Sequence, residues 1–184
     1  MMPHYWFPKP FADFVQRLRA PSGFVLMAAF AYWSSPSVDS LRWGLPVAIV
    51  GLLLRGWAAG HLAKNQRLAT GGPYAMTRNP LYIGTLLVAA GLAIASRQPP
   101  LGALFALAFG LIYLPAIELE EQHLRELFPE YADYARRVPR LGFRLPEQQG
   151  GPPFRQALYR KNEEYKAAAG FLAAVALLAW KIWR

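Results

Sequence analysis

The chain has 184 residues, 54% hydrophobic and 14% aromatic, with a formal net charge of +9 and no cysteine. That composition is too apolar for an ordinary soluble domain, and the missing thiol excludes disulfides, thiolate catalysis and cysteine-held metals. Three scattered histidines, His4, His61 and His123, lack a metal-ligand spacing, so no metal is expected.

The first 22 residues lack the basic-then-apolar order of a cleavable signal peptide. They read instead as an interfacial segment, with residues 4–6 and 11–18 set near lipid headgroups. Five nearly charge-free stretches follow, at 23–33, 43–63, 81–96, 100–117 and 167–183. A helix crossing a bilayer needs roughly 20 apolar residues. The second and fourth stretches meet that length, and the first and third meet it with their flanks. The fifth is marginal, with Lys181 able to snorkel from its end. The expected fold is all-α: a single polytopic membrane domain over 1–184, with five, or four, transmembrane helices and cytoplasmic amphipathic helices.

The joins follow the same logic. "SSPSVDSL" and "SRQPP" are turns on one side of the membrane, so the third and fourth stretches form an antiparallel hairpin. Pro80 suits the first turn of a helix. Beyond Ile117 the helix continues, with Leu124, Leu127, Phe128, Tyr131 and Tyr134 at helical spacing and a break or kink at Pro129. "LPEQQGGPPF" is a loop, and residues 155–166 are a last amphipathic stretch. Arg42, Arg97, Lys181 and Arg184 are alone on one side; apart from Arg55, inside the second stretch, every other Lys and Arg falls on the other. By the positive-inside rule that second side is cytoplasmic, with the N-terminus. The basic excess therefore reads as topology and contact with an anionic bilayer, not nucleic acid. The implied location is a bacterial or archaeal inner membrane.

Several residues could carry chemistry. Glu118, Glu120 and Glu121 sit where the fourth stretch leaves the membrane; they form either a solvated helix end or a set of acceptors for hydroxyls and cations. Arg78 and Asn79 precede Pro80, either as an anchor with Asn79 as N-cap or as an anion site at a helix start. Arg55 lies inside the second stretch, where a charge is costly and marks function unless it is paired or snorkels. His61 lies nearer the cytoplasm. Gly56 and Gly60 could form a close-packing face. Tyr131, Tyr134 and "RRVPR" suit a lipid surface. No G-x-G-x-x-G, Walker A, nucleophile elbow or H-E-x-x-H occurs, which argues against a soluble nucleotide-binding enzyme.

Two stretches carry a resemblance. "GPYAMTRNPLYIG" resembles the G-P-Y-x-x-x-R-H/N-P-x-Y-x-G signature of the integral-membrane methyltransferases. "EEQHLRELFPEYADYARRVPRLGFRLP" resembles their second signature, E-E-x-x-L-x-x-x-F-G-x-x-Y-x-x-Y-x-x-x-V-P-R-x-x-P. The family includes isoprenylcysteine carboxyl methyltransferases and phospholipid (phosphatidylethanolamine) methyltransferases, and the resemblance covers roughly residues 55–146. It implies a methyltransferase core at 43–146, followed at 147–184 by a loop, an amphipathic helix and the last span. It also implies S-adenosylmethionine, converted to S-adenosylhomocysteine, in a cytoplasmic pocket, with a membrane-dissolved lipid as acceptor. Carried over by motif, Tyr74, Arg78, Asn79, Pro80, Tyr82, Glu120, Glu121, Tyr131 and Tyr134 would bind the cofactor. Arg55, His61 and Arg140 would bind the acceptor, and Glu121, Glu118 and Arg55 would serve catalysis. Two positions depart from the pattern: the frequent His is Asn79, which cannot act as a base, and the F-G step is Phe128-Pro129. The first-choice acceptor is a phospholipid amine; the alternatives are carboxyl O-methylation of an isoprenylcysteine or related isoprenoid, and a non-enzymatic membrane binding or carrier protein.

Overall fold

A computed structural model describes residues 7–145 and 151–184. The interfacial residues expected at 4–6, and positions 146–150 of the expected loop, lie outside the described residues. The described residues form seven helices in order: α1 (Lys9–Trp33), α2 (Val38–Ala59), α3 (Pro80–Ser96), α4 (Pro99–Leu127), α5 (Tyr131–Arg137), α6 (Gln156–Lys161) and α7 (Tyr165–Trp183). A short 3-10 turn, Gly72–Ala75, precedes α3. No strand occurs among the described residues.

Local chemistry sets the boundaries. α2 starts at a capping box: Ser40 N donates to Ser37 Oγ at 3.2 Å, and Ser37 N donates to Ser40 Oγ at 2.9 Å. α3 and α4 both open on proline, whose missing N–H costs nothing there. α4 runs on past Ile117 as the apolar pattern predicts. One wide turn at Phe109–Tyr113, where Leu114 N donates to Phe109 O, interrupts its regular ladder just before Pro115. It ends at Leu127; Phe128 is extended and Pro129 blocks continuation.

Five apolar helices therefore appear in the expected order, but they are unequal. Among the described residues, only α2, α4 and α7 are long and apolar enough to cross a membrane; Pro21–Trp33 and Pro80–Ser96 are shorter apolar helices. The 17 residues of α3 reach about 25 Å, just short of a hydrocarbon core of about 30 Å. The helices present Phe24, Leu53, Leu107 and Leu172 outward, as lipid-facing surfaces do. The chain is an integral membrane protein. Tyr32, Trp33, Trp43, Trp180 and Trp183 are exposed near the ends of α1, α2 and α7 that share one side, an interfacial aromatic belt. Lys181 Nζ joins those ends, donating to Ser34 O at 2.8 Å and Tyr32 O at 3.2 Å.

The tightest packing is a small-residue seam between α2 and α3. A Cβ added at Gly44 would lie 2.4 Å from Gly91 O, and one at Gly51 would lie 2.6 Å from Gly84 O. The two backbones touch because nothing stands between them. The expected face of Gly56 and Gly60 is not this seam. Gly56 meets only the Tyr159 ring, at 3.6 Å, and Gly60 is roofed by Phe154. Five residues separate Gly51 from Gly56, which turns the helix about 140° away. The turn between α6 and α7 is fastened to the end of α2 by one side chain: Asn162 Nδ2 donates to Ala59 O and Leu62 O, both at 2.9 Å.

Candidate functional site

A polar pocket of about 270 Å³ opens where α2, α3 and α4 end, roofed by α5. The 60–79 connection supplies Lys64, Asn65, Arg67, Tyr74 and Arg78 to its lining; α3 supplies Pro80 and Tyr82. α4 supplies Glu120 and His123, and α5 supplies Tyr131 and Tyr134. Tyr82 Oη donates to Glu120 Oε2 at 2.9 Å, so the carboxylate is held at the wall with acceptor capacity to spare. Tyr134 Oη donates to Tyr74 O at 2.8 Å, tying the roof to the 3-10 turn.

Behind that wall lies a buried knot on Glu121, only 2% exposed. Asn79 Nδ2 donates to Glu121 Oε1 at 3.0 Å, and Arg140 Nε donates to Oε2 at 3.1 Å. Arg78 Nε lies 3.4 Å from Oε1, an ion pair without hydrogen-bond geometry. One carboxylate thus holds two guanidiniums and an amide. The backbone reinforces it: Arg78 N donates to Pro139 O at 2.9 Å, and Arg144 N to Met76 O at 3.0 Å. The end of the second signature is laid along the first. Asn79 occupies the N-cap position of α3, but its side chain makes no cap bond, because Glu121 and Arg140 O take it.

A second cavity, about 610 Å³, lies among α1, α2, α3, α4 and α7. Its walls are mainly apolar, including Phe24, Met27, Leu92 and Phe171, and its polar lining is Arg55, Thr85 and Tyr113. Arg55 Nε donates to Glu164 Oε1 at 2.5 Å and Nη2 to Oε2 at 3.1 Å; Nη1 bonds Thr85 Oγ1 and reaches Leu81 O at 3.4 Å. An aromatic partition separates the two cavities. Tyr82 of the first meets Tyr113 of the second edge-on, with ring centroids 6.2 Å apart.

Burial pushes the Tyr74 hydroxyl far above its usual range, helped by the negative charges of Glu120 and Glu164 and opposed by Arg55. Burial also raises Tyr131 and Tyr134, with Glu121 and Tyr131 respectively next in importance. All three phenols stay protonated at neutral pH. They can donate hydrogen bonds but cannot serve as bases.

The structure brings Tyr74, Arg78, Asn79, Pro80, Tyr82, Glu120, Tyr131 and Tyr134 together around the polar pocket. It places Glu121 behind the wall, and Arg140 on Glu121. Glu118 faces the start of the chain, where Phe7 N donates to its Oε2 at 3.2 Å. His61 packs between Trp57 and Phe154, with Nδ1 3.0 Å from Pro152 O, and lines neither cavity. Arg55 lines the apolar cavity. Sequence reasoning did not single out Arg67 or Glu164. Arg67 Nη2 is buried at the pocket without a hydrogen-bond partner, as is Tyr131 Oη. The one signal for Arg67 is its place in the loop leading into the first signature. Glu164, in "KNEEYK", looks like any solvated helix start.

These features define a class: an all-α membrane protein in which a polar pocket at the helix ends shares a tyrosine partition with an apolar cavity among the helices. The sequence model of the phospholipid methyltransferase family matches residues 47–131. Over that segment the chain is similar to the integral-membrane isoprenylcysteine carboxyl and phospholipid methyltransferases. It is 40% identical over 116 residues to the cobalt-zinc-cadmium resistance protein CzcN of Cupriavidus metallidurans, covering 61% of this chain and 52% of that protein. It is 40% identical over 104 residues to the nickel-cobalt-cadmium resistance protein NccN of Alcaligenes xylosoxydans xylosoxydans, covering 55% and 47%. It is 32% identical over 111 residues to protein-S-isoprenylcysteine O-methyltransferase B of Arabidopsis thaliana, covering 53% and 56%. The chain spans about half the length of these curated relatives. No solved structure matches it.

Proposed function

We propose that the protein transfers a methyl group from S-adenosylmethionine, held in the polar pocket, to a lipid whose apolar chain lies in the second cavity. The observation that carries this reading is the shared partition of Tyr82 and Tyr113, with a polar pocket on one side and an apolar cavity on the other. The pocket's donors and acceptors suit the cofactor. Arg67 Nη2 and Tyr131 Oη are buried donors without partners, a costly state that a carboxylate or another acceptor would relieve. Glu120 would accept from a ribose diol, and Tyr74, Tyr131 and Tyr134 offer ring faces and edges to a base. Glu121 and Arg140 would hold the wall in place rather than touch the cofactor.

When bound, the cofactor would supply an electrophilic methyl group. The chain's part would be to align the acceptor and exclude water. The apolar cavity, where the acceptor would lie, has Arg55, Thr85 and Tyr113 as its polar lining, with Glu164 ion-paired to Arg55, whereas Glu120 and His123 line the other pocket. An amine acceptor must lose a proton before methylation; a carboxylate need not. This favours carboxyl O-methylation of an isoprenoid-type lipid over a phospholipid amine, and the isoprenylcysteine methyltransferase names among the relatives agree with it. We assign the pocket to the cytoplasmic side on the distribution of basic residues.

The test is labelled methyl transfer by nanodisc-held protein to a prenylcysteine carboxylate or to phosphatidylethanolamine. Label is expected in a base-labile ester on the first. Label only in the phosphatidylethanolamine headgroup would overturn the acceptor choice. Label in neither, with cofactor present, would favour the carrier alternative.

A further inference from the structure

The strongest unexplained feature is the buried pair at the polar end of the apolar cavity. Arg55 lines that cavity with its side chain 23% exposed, and its carboxylate partner Glu164 is 7% exposed. A guanidinium among membrane helices must be paired. Glu164 pairs it by two parallel hydrogen bonds, a geometry any carboxylate can reproduce.

Two details make the pairing exchangeable. Arg55 has a second set of anchors, Thr85 Oγ1 and Leu81 O, on its Nη1. It therefore keeps its place on the cavity wall without Glu164. Glu164 comes from a turn rather than from within a helix: it precedes α7, next to Glu163, whose φ is +55°. Glu163 is exposed and pairs with exposed Lys166 at 2.6 Å, so water is one residue away from Glu164. A carboxylate leaving Arg55 has somewhere to go.

We propose that Glu164 is a place-holding carboxylate, which neutralises Arg55 until an acidic lipid headgroup displaces it. This rests on the reading that the apolar cavity receives the acceptor. The exchange replaces one carboxylate with another, so the buried arginine is never left uncompensated. A headgroup that presents no carboxylate or phosphate to Arg55 cannot make that exchange. Glu164 thereby acts as a specificity-determining residue and as an internal competitor for acidic acceptors.

The experiment measures direct binding of N-acetyl-S-farnesylcysteine and its carboxamide to nanodisc-held full-length protein, wild type against Glu164→Gln. The amide of Gln keeps a hydrogen bond to Arg55 but carries no competing charge. The acid should bind about tenfold more tightly to the variant, equivalent to about 1.4 kcal/mol, while the carboxamide is unchanged. Unchanged or weaker acid binding in folded Glu164→Gln, or equal shifts for both probes, would overturn the proposal. Should Glu164→Gln fail to fold, Glu164→Asp keeps the charge but withdraws it by a methylene. Tighter acid binding is again expected, and acid binding equal to wild type overturns the proposal. Calorimetry with S-adenosylhomocysteine on the same samples keeps the two readings apart. Its failure would count against the methyltransferase reading and leave the probe comparison standing.

Discussion

The wall of the polar pocket and the wall of the apolar cavity are built by opposite means. The pocket wall is cross-braced: α3, α4 and the segment after α5 converge on the buried carboxylate of Glu121. The cavity is lined by five helices lying side by side, and its polar tie to α7 is the Arg55–Glu164 pair. A site for a rigid, polar ligand gains from fixed donors. A site for a flexible chain needs a smooth surface that yields. One protein therefore carries a stiff half and a compliant half, with tyrosines between them.

Breaking the brace should have the largest effect. Glu121→Ala leaves two arginines facing each other without a counter-charge; we expect a loss of about 3 kcal/mol in stability, read as a lower thermal midpoint in detergent. Any loss of cofactor binding in that variant would then be indirect. The α2–α3 seam comes next. Even a Cβ at Gly91 would lie 2.4 Å from Ala48 N, so Gly91→Val should cost about 2 kcal/mol by forcing the helices apart. The same measurement on Gly170→Val, which faces the cavity with nothing within 4 Å, should be near neutral. Equal effects would erase the contrast between seam and cavity. Asn162→Ala frees two carbonyls at the end of α2 and should cost about 1 kcal/mol.

The smallest effect is visible only at high pH. Tyr74, Tyr131 and Tyr134 hold their protons above the ordinary phenol range. Folding therefore favours the protonated form. The stability this gives is complete below the unfolded value, near pH 10, and is lost as pH rises beyond it. An ultraviolet titration should show these three ionising only as the protein unfolds. Ordinary titration of Tyr74 near pH 10 would mean that the pocket is open to water.

Much of this was legible in the sequence, for physical reasons. Apolar runs gave the helices, Pro80 and Pro129 gave two boundaries, and the two signatures gave most of the pocket lining. The rest depends on register between distant segments. Glu120 and Glu121 are adjacent letters, yet one faces the pocket and the other the knot, because about 100° of helix separates them. Asn79 reads as a cap by position, but its side chain is turned so that Nδ2 donates to a buried carboxylate, and it makes no cap bond. Glu164 lies 109 residues from its arginine, and nothing in "KNEEYK" marks it. Glycine pairs can be found by spacing, but spacing does not say which pair meets a neighbour; the seam used Gly44 and Gly51, not Gly56 and Gly60.

The central claim is that the polar pocket holds the methyl donor through groups lining it, above all Glu120 and Arg67. The most direct test is calorimetric titration of S-adenosylhomocysteine into nanodisc-held wild type, Glu120→Gln and Arg67→Met. The account predicts binding to wild type, weakened at least tenfold in each variant (about 1.4 kcal/mol) with the thermal midpoint preserved. Wild-type affinity in both variants, or no binding to a folded wild type, would contradict it.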